Sequence, residues 1–380
     1  MACGSGQPAE KLAFLRLSAR LFLYLLHEYR MRLGSGKKNA CILLAIALAF
    51  WYICATIENY ARMKPMIKYR GGKSREIPRI MKYVPPFSGR YVEPFFGGGA
   101  LFFHLEPESA LINDVNSTLM AFYRGVRDDF DSLREELDEV EAVYARNRQD
   151  FEALKAQHPG ERVEDRNEAL YYAMRDMFNG LAPKRYSDAL LYYFINKTAY
   201  SGMIRYNAQG AFNVPYGRYA HLNTEAVTAA HSLLLRRAEV MNTDYADVFR
   251  RCRAEDFVFL DPPYDCTFSD YGNEAYRHGF GEENHRKLAR DFAALPCKAL
   301  MVIGRTPLTE ELYGDYVIDE YEKAYAVNIR NRFKSAATHI IVANYDGRTG
   351  GGAGRPRPAR AEIRPHQLQL FEPASTYGKD

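Results

Sequence analysis

Residues 257–264 read Phe-Val-Phe-Leu-Asp-Pro-Pro-Tyr, four apolar residues that stop at a carboxylate, two prolines and a phenol. An unbroken apolar run this short, bounded by Asp and Pro, predicts a strand buried on both faces rather than a helix. Pro262 and Pro263 lack a backbone N–H, and each holds the residue before it extended. The loop beyond the strand therefore presents acceptors, the Asp261 carboxylate and the Pro262 carbonyl, beside the flat ring of Tyr264. In an open α/β sheet that edge is where ligands bind. A planar group bearing an amine, such as adenine, can donate two hydrogen bonds there while stacking on the ring. A plain strand end with a proline turn has the same local sequence, so the tetrad needs support from elsewhere in the chain.

Support comes from Tyr91-Val92-Glu93-Pro94-Phe95-Phe96-Gly97-Gly98-Gly99-Ala100, a second strand running into a glycine turn, with Leu101-Phe102-Phe103 opening a helix. Glycine permits positive φ and lets a ligand lie against the backbone. The turn lacks the G-x-G-x-x-G spacing of a dinucleotide fingerprint and has Glu93 just before it. That suits a nucleoside with a cationic tail better than a pyrophosphate. Leu111-Ile112-Asn113-Asp114 ends the next strand, where a carboxylate commonly takes ribose hydroxyls. Taken alone, Asp114 suits a helix cap equally well.

In this order the motifs resemble the Dam-type, D12-class family of DNA adenine methyltransferases, over about Met66 to Tyr345. Lys68-Tyr69-Arg70-Gly71-Gly72-Lys73 leads, Glu93 to Ala100 and Asp114 follow, and a long insert precedes Asp261 to Tyr264. Within the insert, Tyr200-Ser201-Gly202-Met203-Ile204-Arg205-Tyr206-Asn207 and Gly210 to Tyr219 are similar to the family's DNA-reading hairpin. The resemblance implies an α/β fold, a Rossmann-like S-adenosylmethionine-dependent methyltransferase sheet with an inserted, mostly helical target-recognition domain. Residues 63–117 and 224–346 would form the catalytic domain and 118–223 the recognition domain. It implies S-adenosylmethionine as methyl donor, no metal, and adenine in double-stranded DNA as acceptor.

Residue by residue, the resemblance gives Asp261, Pro262 and Tyr264 the catalytic roles. Tyr69, Lys73, Glu93, Phe95, Gly97, Gly99, Asp114 and Asp261 would surround the donor. Lys73 as a solvated surface lysine is the plain alternative. Arg205 matches the position that pairs with a guanine, Met203 and Pro215 the contacts to a thymine methyl, Tyr200 the wedge into the stack, and Lys68 and Tyr219 the contacts to an outer guanine. Together these favour GATC as target. The chain departs from the family at Met203, usually leucine, at Tyr69, usually tryptophan, and at Arg70, usually small. Two other readings stay open: a methyltransferase of protein glutamine or RNA amines, and a DNA-binding protein whose methylation is incidental. The first leaves the insert and its hairpin without a role.

Formal charge is +4 over 380 residues, and its distribution says more than its total. Residues 1–62 hold eight Lys/Arg against three Asp/Glu, and residues 347–380 six against three, so the middle is acidic. A DNA enzyme with an acidic middle must gather its cations on one face, because phosphate contacts supply most of the affinity. Lys184, Arg185, Lys197, Arg205 and Arg218 lie in the insert among many tyrosines, which individually are more often core than contact. Six scattered cysteines without a C-x-x-C pair indicate neither a zinc site nor a disulfide framework and fit a reducing cytoplasm, with the enzyme on the nucleoid.

The ends stand apart. Ala40 to Ile57 has no charge and follows Lys37-Lys38, a length at the lower bound for a membrane span. Met63-Lys64-Pro65-Met66 lies just before the first motif, so a start placed too early, a membrane anchor and a soluble partner helix all remain open for residues 1–62. Helical periodicity predicts helices over 118–156, 169–178, 187–198, 224–237 and 284–295, with strands over 239–242, 299–303 and 338–345. From Gly347 the chain reads as a flexible tail. Its apolar pentapeptide Gln367-Leu368-Gln369-Leu370-Phe371 resembles the bacterial sliding-clamp-binding motif, in which Gln367, Leu368, Leu370 and Phe371 would make the contact. Docking on the protein's own core is the alternative.

Overall fold

Seven strands, β1 (Tyr91–Glu93), β2 (Ala110–Asn113), β3 (Ala238–Met241), β4 (Phe257–Leu260), β5 (Lys298–Gly304), β6 (Val317–Ala324) and β7 (Ala336–Ala343), form one sheet in the order β3-β2-β1-β4-β5-β7-β6. All neighbours run parallel except β7, which is antiparallel to both β5 and β6. This computed structural model describes residues 62–69, 71–207, 209–265, 280–324 and 336–346. The apolar segment 40–57, Arg70 and the tail with the pentapeptide 367–371 lie outside the described residues. Among those described, no helix is long and apolar enough to cross a membrane.

The helices are α1 (Ile77–Ile80), α2 (Ala100–Leu105), α3 (Ser117–Asp128), α4 (Phe130–Gln157), α5 (Arg166–Phe178), α6 (Asp188–Thr198), α7 (Ala229–Leu235), α8 (Tyr245–Phe249), α9 (Glu282–Ala293) and α10 (Pro307–Tyr313). Helices cover both faces of the sheet, which explains the unbroken apolar run of β4. Phe257 and Phe259 enter one core with Tyr91 and Ile112, while Val258 and Leu260 enter the other with Val92 and Leu111. The chain leaves β1 toward β2 and β3, then returns through α8 to β4 on β1's other side. The carboxyl ends of β1 and β4 therefore flank the point where the winding reverses, the place where open sheets bind ligands.

Two expectations change, and one strand, β6, was not expected. The helix expected over 118–156 is two, broken at Asp129, whose ψ of 37° lies outside the helical range. The helix expected over 224–237 is confined to Ala229–Leu235, because Thr228 is extended and forms a capping box with His231. β6 carries Asp319, Glu320, Glu322 and Lys323 and pairs only with β7, and such an edge strand shows no apolar run to read.

Between α6 and α7 the chain forms a two-stranded ribbon. Tyr206 bridges Phe212 and Ala199 bridges Tyr216, both antiparallel. The Asn207 amide donates to the Ala211 carbonyl at 2.9 Å, and the Tyr200 amide to the Pro215 carbonyl at 2.9 Å. Phe212, Val214 and Tyr216 turn inward, whereas Arg205, Asn213 and Pro215 face solvent. Beneath it the tyrosines are largely core, as composition suggested. Tyr144 and Tyr216 share a hydrogen bond of 2.7 Å, and Tyr171 donates to the Val214 carbonyl at 2.7 Å.

Candidate active site and nucleic-acid interface

Asp261 follows the last residue of β4, and its carboxylate is gripped by Lys73, whose Nζ lies 2.7 Å from each oxygen and 3.0 Å from the Gly71 carbonyl. Three ammonium protons thus meet three acceptors. The Lys73 side chain is only 3 % exposed and that of Asp261 22 %, so the solvated-lysine alternative does not hold. Burial pushes the Asp261 carboxyl up, and the adjacent Lys73 charge and hydrogen bonds pull it only part of the way back. Pro262 is buried and Tyr264 half-buried. The Tyr264 ring lies across Gly304 of β5, where an added Cβ would come within 3.4 Å, and meets the His339 ring edge-on at 5.2 Å.

At the end of β1, Glu93 is 3 % exposed and accepts from the Tyr91 hydroxyl at 2.7 Å. Burial first, then the charges of Asp261 and Asp114, push its carboxyl well up, against the Tyr91 bond. The glycine turn follows, with Gly97 at φ 47° and Gly99 at φ 63°. Asp114 binds this turn, accepting from the Gly97 amide at 3.0 Å and from the Asn116 amide at 3.0 Å. Burial raises the Asp114 carboxyl and those amides oppose it. The cap of α3 is Asn116, which accepts from Leu119 at 3.0 Å, so the cap alternative for Asp114 falls away.

What crowds the turn is Tyr69: a Cβ on Gly97 would stand 2.7 Å from its ring. The glycines therefore let an aromatic plate, rather than a bare ligand, lie on the backbone. Gly97→Ala would meet both that ring and the left-handed strain, about 1–2 kcal/mol. It is expected to weaken donor binding by roughly tenfold or more by calorimetry, with the protein still folded and its melting temperature lowered by about a few degrees. Unchanged affinity would mean that Tyr69 does not shape the pocket.

These residues line one cleft of about 1180 Å³ including its open mouth, bounded by Lys68, Tyr69, Lys73, Glu93, Phe95 and the glycine turn, and by Asp114, Asp261, Pro262 and Tyr264. Gly202 and Ile204 of the ribbon also line it, which the motifs did not suggest. The residues assigned to DNA contact sit on the ribbon and at its base. Tyr200 is 48 % exposed and Arg205 and Pro215 are exposed, while Met203 is half-buried. The Arg205 Nε donates to Asn213 at 3.1 Å, and the Lys68 ammonium lies 4.1 Å from the centre of the Tyr219 ring.

Several supports were missed. The Asn113 side-chain Nδ2 donates to the Pro94 and Thr243 carbonyls, both at 3.0 Å, and ties the loops after β1 and β3 together. The Tyr123 hydroxyl donates to the Gly97 carbonyl at 2.9 Å. Glu76, three residues after Lys73, binds Tyr321 and Lys323 of β6, and its carboxylate lies 3.5 Å from His339 Nδ1. Burial pushes the Glu76 carboxyl up, but bonds from His339, Lys323 and Tyr321 outweigh it and hold it at about 2, against 4.5 ordinarily. A depressed carboxyl stabilises the fold above its ordinary value and ceases to as pH falls through its folded value. Glu76→Gln is therefore expected to lose less stability than the wild type between pH 4.5 and about 2 in urea titrations. Parallel losses would contradict the network.

The cleft joins the Asp261–Tyr264 loop, the carboxyls of Glu93 and Asp114 beside the glycine turn, and Gly202 and Ile204 of the ribbon. The model of the D12 class N6 adenine-specific DNA methyltransferases matches residues 69–328. The chain is 34 % identical over 291 residues to the Type II methyltransferase M.CviBI of Paramecium bursaria Chlorella virus NC1A, covering 74 % of this chain and all of that protein. It is 30 % identical to M1.LlaDCHI of Lactococcus lactis subsp. cremoris, over 76 % of this chain and 98 % of the relative. To the DNA adenine methylase of Haemophilus influenzae it is 26 % identical, over 62 % of this chain and 76 % of the relative. A match over most of the chain, with the cleft's motifs inside it, assigns the protein: it belongs to the D12 class of N6 adenine-specific DNA methyltransferases.

Proposed function

We propose that this DNA adenine methyltransferase uses S-adenosylmethionine, acts on a base flipped out of the duplex, and reads GATC. The observation that carries the reading is the shared cleft, in which the Asp261–Tyr264 loop, the Glu93–Gly99 turn, Asp114 and the ribbon residues Gly202 and Ile204 face one space. The donor set fits the cofactor. Glu93 and Asp114 set two buried carboxyls where a sulfonium would be drawn, and a bound cation would favour their ionised forms against the burial that raises them. Tyr69 and Phe95 offer ring faces for a nucleoside. S-adenosylmethionine supplies an electrophilic methyl group to a nitrogen nucleophile.

The chain's own residues do the rest by position and charge. A base inside a duplex is out of reach, and extruding it costs a few kcal/mol. Stacking on Tyr264 returns about 1–3 kcal/mol. The Asp261 carboxylate and the Pro262 carbonyl accept from the exocyclic amine, which turns its lone pair out of conjugation and aims it into the cleft. Lys73 holds the Asp261 carboxyl in place and opposes the rise that burial imposes on it. Asp261 need not be a strong base, because the amine becomes acidic only once methylated, and its carboxylate then takes the proton.

The ribbon supplies specificity, since a two-stranded ribbon fits the major groove and an arginine fork suits guanine's two acceptors. Arg205→Ala is expected to lose about 1–3 kcal/mol of discrimination at one guanine of GATC, read as relative kcat/KM on singly altered duplexes. A uniform loss on every duplex would mark Arg205 as a phosphate contact. Flipping is tested with 2-aminopurine at the target position, whose fluorescence should rise on binding. No change would count against extrusion.

A further inference from the structure

We infer that Asn196 is a positioning residue that couples the reading of DNA by the ribbon to the seating of the methyl donor. The inference rests on the proposed function, in which the cleft holds the donor and the ribbon reads the target. Asn196 sits in the last turn of α6 and is fully buried. A buried side-chain amide must satisfy both its ends. Asn196 does so on the backbone of one residue 128 positions away: the Lys68 amide donates to Oδ1 at 2.9 Å, and Nδ2 donates to the Lys68 carbonyl at 2.7 Å. This two-point grip fixes the backbone at Lys68 to the end of α6.

The segment it grips leads straight into Tyr69, whose ring covers the glycine turn. The helix it comes from leads straight into the ribbon. The Thr198 carbonyl accepts from Gly217 at 2.8 Å, Ala199 bridges Tyr216, and the Tyr200 amide donates to the Pro215 carbonyl. Lys68 closes the circuit, its ammonium lying 4.1 Å from the centre of the Tyr219 ring. Gly202 sits so near that an added Cβ would stand 2.9 Å from the Lys68 side chain. A shift of the ribbon as it seats on its target is therefore passed through Asn196 to Lys68 and Tyr69, and so to the wall of the donor cleft. By linkage, the factor by which the target duplex changes donor affinity equals the factor by which the donor changes duplex affinity.

The test uses the full chain and S-adenosylhomocysteine as the unreactive probe. Its affinity is measured by calorimetry alone, with a GATC duplex, and with a duplex changed at one base pair of the site. In the wild type the GATC duplex is expected to tighten probe binding about tenfold and the altered duplex less than about twofold. In Asn196→Ala the tightening should fall below about twofold, while DNA-free affinity stays within about threefold of wild type. Asn196→Asp has nearly the same shape and keeps the acceptor, but has no amide proton for the Lys68 carbonyl. It should lose the coupling as well, and it serves if the alanine variant folds poorly. Intact coupling in Asn196→Asp, or no target-dependent tightening in the wild type, would overturn the inference. So would equal losses of DNA-free and DNA-bound affinity, which mark a merely structural residue. Wild-type methylation of GATC without coupling sinks this inference alone, whereas absence of methylation sinks the reading beneath it.

Discussion

Asp261→Ala is expected to abolish methyl transfer, with kcat down by about a thousandfold or more, while binding of the duplex stays within a few-fold of wild type. Two effects combine. The amine loses the acceptor that orients it, a contribution of the order of several kcal/mol when donors and acceptors are preorganised. Lys73 also loses its carboxylate partner and keeps the Gly71 carbonyl as hydrogen-bond acceptor, a largely buried cation where a cationic donor would bind. Breaking a largely buried pair from one side costs about 3 kcal/mol of stability. The double variant Asp261→Ala with Lys73→Met should recover part of that stability in urea unfolding but none of the activity. Activity within tenfold of wild type in either variant would remove Asp261 from the mechanism.

Tyr264→Ala should lower kcat/KM by roughly five- to a hundredfold, the worth of one base stacked on an aromatic ring, while Tyr264→Phe stays near wild type. The seat of the ring explains the difference. Its face lies along Gly304, His339 meets it edge-on at 5.2 Å, and the Lys73 ammonium stands 5.1 Å from its centre. Phenylalanine keeps all three contacts. Steady-state kinetics on a GATC duplex decide the point, and equal defects in the two variants would assign the role to the hydroxyl instead of the ring.

The parts of this molecule that were legible in its sequence are those written as local patterns. The apolar run of β4 ending in Asp261, the glycine turn after β1, and Asp114 at the end of β2 each announce a strand end by composition alone, and the sheet brings all three to one edge. What was not legible depends on single polar residues paired across long stretches of chain. Asn196 reaches Lys68 over 128 residues, and Asn113 reaches Thr243 over 130. His339 looks like a polar interruption of β7 until the fold sets it between Tyr264 and Tyr321. The break at Asp129 carries neither Gly nor Pro, so periodicity ran α3 and α4 together. Lys73 was legible as a member of the motif, but its pairing with Asp261 was not, since nothing local joins residues 188 positions apart.

The central claim, transfer to adenine N6 within GATC, is tested most directly with the full chain, methyl-labelled S-adenosylmethionine and two duplexes of equal length. One contains a single GATC and the other differs from it by one base pair in that site. After digestion to nucleosides, the label should appear as N6-methyl-2'-deoxyadenosine from the first duplex and at background from the second. Label on cytosine, label confined to added protein or RNA, or equal label in both duplexes would contradict it.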